Sequence, residues 1–251
     1  MEWHDDGIVL AARKHGESSA IVTLLTAEHG RHLGLVRGGA GRRKRGLFQP
    51  GNRVRATWRA RLAEHLGSYG CELLEAVSAE WLDDADRLAG LSAACAVADV
   101  ALPERETHRP VYDGFQVLLD AIRTEAWPTV YVKWELGLLQ ELGFGLDFRC
   151  CAATGATEDL THVSPKSGRA VSAAAAEPYR QSLLALPPFL LESGATGGPG
   201  EIAEALKLTG YFLDRHVFAQ TKSGLAPAAR QRWLERARRR SGARAGREPA
   251  A

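Results

Sequence analysis

The residues from Arg53 to Leu62 alternate between two kinds of side chain, and this pattern constrains the fold more than any other feature of the chain. The apolar series is Val54, Ala56, Trp58, Ala60 and Leu62, and the polar series is Arg53, Arg55, Thr57, Arg59 and Arg61. Because successive side chains of a strand point to opposite faces, this period of two predicts a β-strand with one buried face and one face of guanidinium groups. On a helix, at about 100° per residue, the same arginines would be scattered around the axis.

Four other segments before residue 80 also have the composition of strands. They are residues 7–12, 20–26, 31–37 and 68–77, which are apolar or rich in β-branched residues and are separated by glycine-containing turns. Gly38-Gly-Ala-Gly41 opens a loop that carries Arg42-Arg-Lys-Arg45. Five short strands in fewer than 80 residues fit a small, partly open barrel such as the OB-fold, which commonly binds oligonucleotides.

After Glu80 the hydrophobic period changes to that of helices. Helices are predicted over residues 80–102, from Pro110, from Thr129 to Gly143, over 173–185, over about 202–217 and over 228–240. Residues 144–172 are rich in turn residues and predicted to be irregular. We therefore expect a barrel domain at 1–79, a helical domain at 80–240 and a disordered basic tail at 241–251.

The small net charge of +2 conceals a strong segregation of charge along the chain. Residues 1–79 hold 12 Lys/Arg and 8 Asp/Glu, residues 80–229 hold 12 and 20, and residues 230–251 hold 8 and 2. From Arg31 to Arg61 there are ten cations and no carboxylate. Such asymmetry indicates a polyanionic partner at a basic end, although charge runs are more often only a solvated surface.

The composition excludes several classes of protein. No run of 18 apolar residues is present, and the first residues lack the basic and apolar regions of a signal peptide. Four cysteines at irregular spacing do not form a disulfide framework or a paired CxxC zinc site. We therefore expect a cytoplasmic protein with reduced thiols, no membrane association, no metal and no cofactor.

No motif of a known catalytic centre is present. HExxH, the zinc-deaminase signature, GxSxG and GxxxxGK[ST] are all missing. Asp83, Asp84 and Asp86 could hold Mg²⁺ in principle, but acidic residues at a helix start are the simpler account. Enzymatic activity is therefore disfavoured.

Nine cations are the candidate site for binding the phosphates of a nucleic acid. They lie in the loop and on the polar face of the alternating strand: Arg37, Arg42, Arg43, Lys44, Arg45, Arg53, Arg55, Arg59 and Arg61. Trp58 and Tyr69 could stack on bases, although the position of Trp58 on the apolar side favours the core.

An ordered series of motifs resembles the bacterial RecO family of DNA repair proteins over nearly the whole chain. The motifs are Gly7-Ile-Val-Leu, the segment Gly16 to Gly30, Leu35-Val-Arg-Gly38, Leu47-Phe-Gln-Pro50, Leu142-Gly-Phe-Gly-Leu-Asp147, Cys151-Ala-Ala-Thr-Gly155 and Val163-Ser-Pro-Lys-Ser-Gly168. The resemblance implies an α+β multidomain protein, in which a five-stranded OB-fold barrel is followed by an all-helical domain with a zinc-finger-like insert.

The resemblance also implies a function. Members of the family bind single- and double-stranded DNA, anneal complementary strands, engage the C-terminal tail of the single-stranded DNA-binding protein SSB, and help to load RecA, usually with RecR. This chain departs from the metal-binding members, because Cys151-Ala-Ala-Thr154 and Ser172-Ala-Ala-Ala175 stand where those members carry CxxC twice. We therefore expect the insert, at 144–175, to be degenerate and free of zinc.

Three other functions compete with that of a recombination mediator. The acidic, helix-rich body could make the chain an adaptor whose main role is protein contact. The barrel could belong to an RNA-binding protein of translation. A nuclease is a distant alternative, since no catalytic motif supports it.

Overall fold

The computed structural model describes residues 1–221 and 223–245, and the side chains of these residues except Arg43 and residues 243–245. The chain divides into two compact units. Among the described residues, the first contains 1–119 and 227–230, and the second contains 120–221, 223–226 and 231–245. This division falls later than the boundary at 79/80 expected from the sequence, because the first long helix packs against the first strand of the barrel.

Five strands form a closed barrel in the first unit: β1 (Glu2–His15), β2 (Ser19–Thr26), β3 (Gly30–Val36), β4 (Arg53–Arg59) and β5 (Ser68–Glu75). Their order around the barrel is β1-β2-β3-β5-β4, and β4 closes it by pairing with β1. All pairs are antiparallel except the short parallel contact of β3 with β5 at Leu35 and Ser68. This is the predicted five-stranded, OB-type barrel.

The first strand is longer than the sequence suggested. It begins at Glu2 and not at the predicted Gly7, because residues 2–6 continue the pairing with β4. Residues 2–8 pair with β4 and residues 7–15 pair with β2, with a register shift between Val9 and Ala11. One strand thus pairs with two neighbours, which allows the sheet to close.

The barrel interior is filled by the apolar series of each strand. Val54, Ala56 and Trp58 of β4 are buried together with residues of the other four strands. Gly34 of β3 is required at its position, because an added Cβ would lie 2.4 Å from the ring of Tyr69. The predicted inward face of β4 is confirmed up to Trp58, whereas Leu62 lies beyond the strand and is exposed.

Three helices complete the first unit: α1 (Arg42–Arg45), α2 (Ala85–Ala101) and α3 (Arg109–Ala121). A 3-10 turn at Val77–Trp81 precedes α2. The side chain of Asp84 caps α2 by accepting hydrogen bonds from the backbone N–H groups of Asp86 and Arg87. This confirms the reading of these acidic residues as a helix start.

The long helices of the second unit are α4 (Trp127–Glu141), α6 (Pro199–His216) and, from Gln231, α7 (Ala228–Ala245). Trp127 and Tyr131 of α4 pack against Trp233 of α7, with ring centroids 4.7 and 6.1 Å away. The helix α7 continues past the predicted end at Arg240, so residues 241–245 of the expected tail are helical, and residues 246–251 lie outside the described chain. None of the described helices has the length and apolar character needed to cross a bilayer.

The prediction was wrong for residues 173–185. Only a four-residue helix forms there, α5 (Ala173–Ala176), followed by a 3-10 segment at Glu177–Ser182. A small three-stranded sheet was missed: β6 (Leu160–Val163), β7 (Ala170–Ser172) and β8 (Leu184–Ala185), in the order β7-β6-β8. Its strands have two to four residues, too few for a period of two to be read.

Candidate nucleic-acid interface

An open groove of about 780 Å³ runs over the outer surface of the barrel. Its walls come from His4 of β1, from the end of β3, from β4, from β5, which contributes the carboxylate of Glu72, and from Lys44 of α1. Four of the nine predicted cations line it: Arg37, Lys44, Arg55 and Arg59. The groove therefore brings part of the loop and part of the strand into one basic surface.

The alternation of β4 positions the strand half of this groove. Arg55, Thr57 and Arg59 point outward, as predicted. Thr57 pairs in register with Gly70 of β5 and with His4 of β1, and its hydroxyl lies 2.9 Å from Nδ1 of His4. Because Thr57 is short and Gly70 has no side chain, the floor between the two arginines stays open.

The outward arginines are paired with carboxylates that the local sequence does not reveal. Arg55 donates from Nε and Nη2 to the two carboxylate oxygens of Asp6, at 3.0 and 3.5 Å. Arg59 donates from Nη2 to Glu2 at 2.7 Å. The segment from Arg31 to Arg61 contains no carboxylate in its own sequence. In the folded barrel, however, strand pairing places two acids of β1 opposite Arg55 and Arg59.

These ion pairs also shift the pKa values of the side chains that form them. The hydrogen bond to Asp6 raises the pKa of Arg55, and the hydrogen bond to Glu2 raises the pKa of Arg59. The hydrogen bond from Arg59 lowers the pKa of Glu2 below its ordinary value. Both partners of the Glu2–Arg59 pair are therefore fully charged at neutral pH.

Arg53 and Arg61 do not take the positions that the alternation predicted. The side chain of Arg53 is only 22% exposed and donates to Glu75 at 2.7 Å and to the carbonyl oxygen of Gln116 at 3.3 Å. Arg61 lies beyond β4, which ends at Arg59, in an exposed bend. Neither residue lines the groove.

The loop cations differ from the strand cations in their surroundings. Arg42, Lys44 and Arg45 are exposed on the single turn of α1, and Nζ of Lys44 donates to the carbonyl oxygen of Arg37 at 3.2 Å. Within the described part of the chain, no carboxylate forms an ion pair with Arg37 or with these three residues. The side chain of Arg43 lies outside the described residues.

A buried asparagine holds the loop against the barrel, and sequence reasoning missed it. Nδ2 of Asn52 donates to the carbonyl oxygens of Gly46 and Leu47, at 2.9 and 3.1 Å. Its Oδ1 accepts from the backbone N–H and the hydroxyl of Ser78, at 3.2 and 3.0 Å. A lone asparagine next to Pro50-Gly51 carries no signal beyond that of a turn.

The two aromatic residues considered for base stacking belong to the core. Trp58 is buried and donates from Nε1 to the carbonyl oxygen of Leu66 at 3.0 Å, which confirms the core interpretation. Tyr69 is buried as well, and its hydroxyl lies 3.1 Å from Nδ1 of His32. Burial lowers the pKa of His32 to about 4, so this ring is neutral at pH 7.

This protein combines an OB-type barrel that carries a basic groove with a second unit that is mainly helical. Two family models match its sequence: "Recombination protein O N terminal" over residues 1–76 and "Recombination protein O C terminal" over residues 82–224. The chain therefore belongs to the RecO family of DNA repair and recombination proteins.

Three proteins of this family are similar to the chain over almost their full length. The DNA repair protein RecO of Rhodospirillum centenum is 56% identical over 241 residues, which cover 95% of this chain and 96% of the relative. That of Rhodospirillum rubrum is 52% identical, covering 97% and 99%. That of Phenylobacterium zucineum is 51% identical, covering 93% and 96%.

The segment expected to be a zinc-finger remnant does not fit a zinc ion. Sγ of Cys151 accepts hydrogen bonds from the backbone N–H and the hydroxyl of Ser172, at 3.3 and 3.4 Å. Ala175 has no donor atom, and no group of three or more His, Cys, Asp or Glu side chains that could hold a metal occurs among the described residues. A structural zinc site of the finger type needs four such ligands.

Proposed function

We propose that this protein is a non-enzymatic mediator of DNA repair in the cytoplasm, associated with the nucleoid. It binds single- and double-stranded DNA through the groove, anneals complementary strands and helps to load RecA onto SSB-coated DNA. The observation that carries the proposal is the convergence of Arg37, Lys44, Arg55 and Arg59 on one open groove of an OB-type barrel.

The groove holds the DNA backbone and does not read the bases. Its cations are four guanidinium or ammonium groups, which suit phosphate oxygens. Arg55 and Arg59 are four residues apart on one strand face, hence roughly 13 Å apart along the strand. That separation suits an extended sugar-phosphate chain better than one compact anion.

Annealing follows from neutralising phosphates without covalent chemistry. Two complementary strands repel each other through their phosphates, and cations that neutralise part of this charge allow them to approach. Arg42 and Arg45 on α1 extend the positive surface beyond the groove, together with Arg43 as a further phosphate ligand. No nucleotide hydrolysis is needed in this scheme.

Binding across a salt series tests the proposal. If about six phosphates are engaged, log K for a single-stranded oligonucleotide falls with log salt concentration with a slope near −4. Annealing of complementary oligonucleotides, with and without SSB, is measured in the same series. A salt-independent affinity would contradict binding by phosphate contacts, and equal or tighter binding of RNA in competition would favour an RNA-binding role.

We further propose that the C-terminal tail of SSB and RecR are partners and that RecA is reached indirectly. The helical second unit is the expected site of the SSB contact, because it is separate from the cations of the groove. In the full chain, Arg55→Gln with Arg59→Gln then weakens DNA binding and leaves the affinity for an SSB-tail peptide unchanged. Loss of both affinities together would place the peptide on the barrel.

A role as a protein adaptor is the second candidate. The ion pairs of Arg55 and Arg59 favour it, since they reduce the positive charge that the strand face offers to DNA. An adaptor would keep its protein partners while binding DNA weakly at every salt concentration. The salt series therefore separates the two functions.

A further inference from the structure

Two carboxylates occupy the sites on the groove arginines where a phosphate would bind. Asp6 meets Arg55 through both carboxylate oxygens, which is the side-on geometry that guanidinium groups also use for phosphate. Glu2 meets Nη2 of Arg59 at 2.7 Å. A DNA phosphate that binds either arginine in this way must first displace the carboxylate.

The backbone fixes the positions of these acids. Glu2 and Asp6 are the direct partners of Arg59 and Arg55 in the β1–β4 ladder, so each acid stays opposite its arginine while the barrel is closed. The acids do not themselves line the groove, but the ladder keeps them next to two arginines that do, even when they rotate away from the guanidinium groups. They therefore compete at a high effective concentration.

The pairs contribute little to the stability of the barrel. The side chains of Arg55 and Asp6 are 59% and 49% exposed, and those of Arg59 and Glu2 are 66% and 42% exposed. Exposed pairs of this kind add little to the stability of a fold, because water and salt screen the attraction between the charges. Removing the acids should therefore leave the fold intact and change mainly the charge that the groove presents.

We propose that Glu2 and Asp6 are built-in competitors of DNA phosphates, so that DNA binds the strand half of the groove by exchange with these carboxylates. The inference rests on the proposed function of the groove. Its consequence is weaker and more rapidly reversible binding than four cations alone would give. Rapid release suits a protein that must pass strands to one another.

The test removes the competitors and leaves the arginines in place. With Glu2→Gln and Asp6→Asn together, the Kd for a single-stranded oligonucleotide at about 0.1 M salt should fall about fivefold, with slower dissociation. The matched control is Asp113→Asn with Glu204→Gln, which has the same change of charge in two exposed acids whose ion-pair partners, Arg109 and Lys207, do not line the groove. An equal gain in affinity in both variants, or no gain in the first, would overturn the inference.

Arg55→Gln with Arg59→Gln separates this inference from the proposed function. If these substitutions and Arg37→Gln with Lys44→Gln all leave DNA binding unchanged in the otherwise natural chain, the groove is not the DNA site and the proposed function fails. If they weaken binding but Glu2→Gln with Asp6→Asn does not strengthen it, only the inference about competitors fails. The melting temperature of each variant shows whether the fold is preserved.

Discussion

The groove cations fall into two groups that differ in their partners. In the loop group, Arg37 and Lys44 have no carboxylate partner among the described residues, and Lys44 donates only to a carbonyl oxygen of the loop. In the strand group, Arg55 and Arg59 are each bonded to an acid of β1. Cations that look equivalent in the sequence therefore present different charge to a ligand.

The cause of the difference is the distance along the chain between partners. The acids that pair with Arg55 and Arg59 lie 49 and 57 residues away, and only the β1–β4 ladder brings them together. The loop lies between β3 and β4 in the chain, and among the described residues no carboxylate forms an ion pair with Arg37 or Lys44, although Glu72 of β5 lines the same groove. We expect the loop group to make the stronger direct phosphate contacts.

The largest loss of DNA affinity should come from the loop group. Arg37→Gln with Lys44→Gln should raise the Kd for a single-stranded oligonucleotide about 30-fold at about 0.1 M salt, since two phosphate contacts are lost with no competitor to offset them. The slope of log K against log salt concentration should become about 1.4 units less negative, at about 0.7 per phosphate contact. Fluorescence anisotropy across a salt series measures both quantities.

Arg55→Gln with Arg59→Gln should raise the same Kd only about fivefold. The change of charge equals that in the loop variant, so the long-range electrostatic effect is comparable, and the difference reports the direct contacts. Lys14→Gln with Arg109→Gln is the control, because these residues are exposed cations that do not line the groove. A loss as large as that of the loop variant would show that the carboxylates do not weaken the strand contacts.

The comparison also shows how far the sequence determines the structure. The alternation at Arg53–Arg59 was sufficient to predict β4 and its buried face, because a period of two is a local property. The partners of the outward arginines were not predictable in the same way, since they depend on the register of β1. The outward series Glu2, His4 and Asp6 has the period of two that is typical of a strand. The adjacent acids Asp5 and Asp6 conceal this pattern, because two consecutive aspartates are also typical of a strand boundary.

Predictability falls further in the second unit. The amphipathic helices were found, because Ile202, Leu206 and Leu213 recur at helical spacing over a long segment. The run of alanines at 173–176 has high helix propensity and led to a prediction of helix up to residue 185. That helix stops after one turn, because the chain passes into a 3-10 segment through Pro178 and then supplies β8 to the small sheet.

The anchor of the loop offers a third test, with a smaller expected effect on DNA. Asn52→Ala removes the hydrogen bonds that join Gly46 and Leu47 to the barrel and should raise the Kd about threefold, because the loop cations lose their fixed position. The free energy of unfolding should fall by about 2–4 kcal/mol, since buried backbone groups lose their partners. Chemical denaturation and anisotropy give the two values.

Thr209→Val is the matched control for this stability effect. It removes buried hydrogen bonds in the second unit, where the hydroxyl of Thr209 donates to Glu135. It should destabilise the protein without changing the affinity for DNA. Equal losses of DNA affinity in both variants would attribute the effect of Asn52→Ala to general destabilisation and not to the loop.

Substitution of Arg53 should have the smallest effect on the affinity for DNA, because Arg53 lies on β4 but outside the groove. Arg53→Met keeps the apolar stem but loses the hydrogen bonds to Glu75 and to the carbonyl oxygen of Gln116. We expect a loss of about 1–2 kcal/mol in the free energy of unfolding, because hydrogen bonds to charged groups that are partly shielded from water are worth about that much. The Kd for DNA should change by less than about twofold, since this side chain does not line the groove.

Glu75→Gln provides the cross-check on Arg53, because it removes the other partner of the same pair. The two substitutions should be non-additive in the free energy of unfolding when combined, as expected for residues in direct contact. If Arg53→Met instead weakens DNA binding as much as Arg55→Gln with Arg59→Gln, then Arg53 leaves Glu75 to bind phosphate. In that case the strand group would extend along the whole of β4, and ion pairing in the unbound protein would not limit which arginines bind DNA.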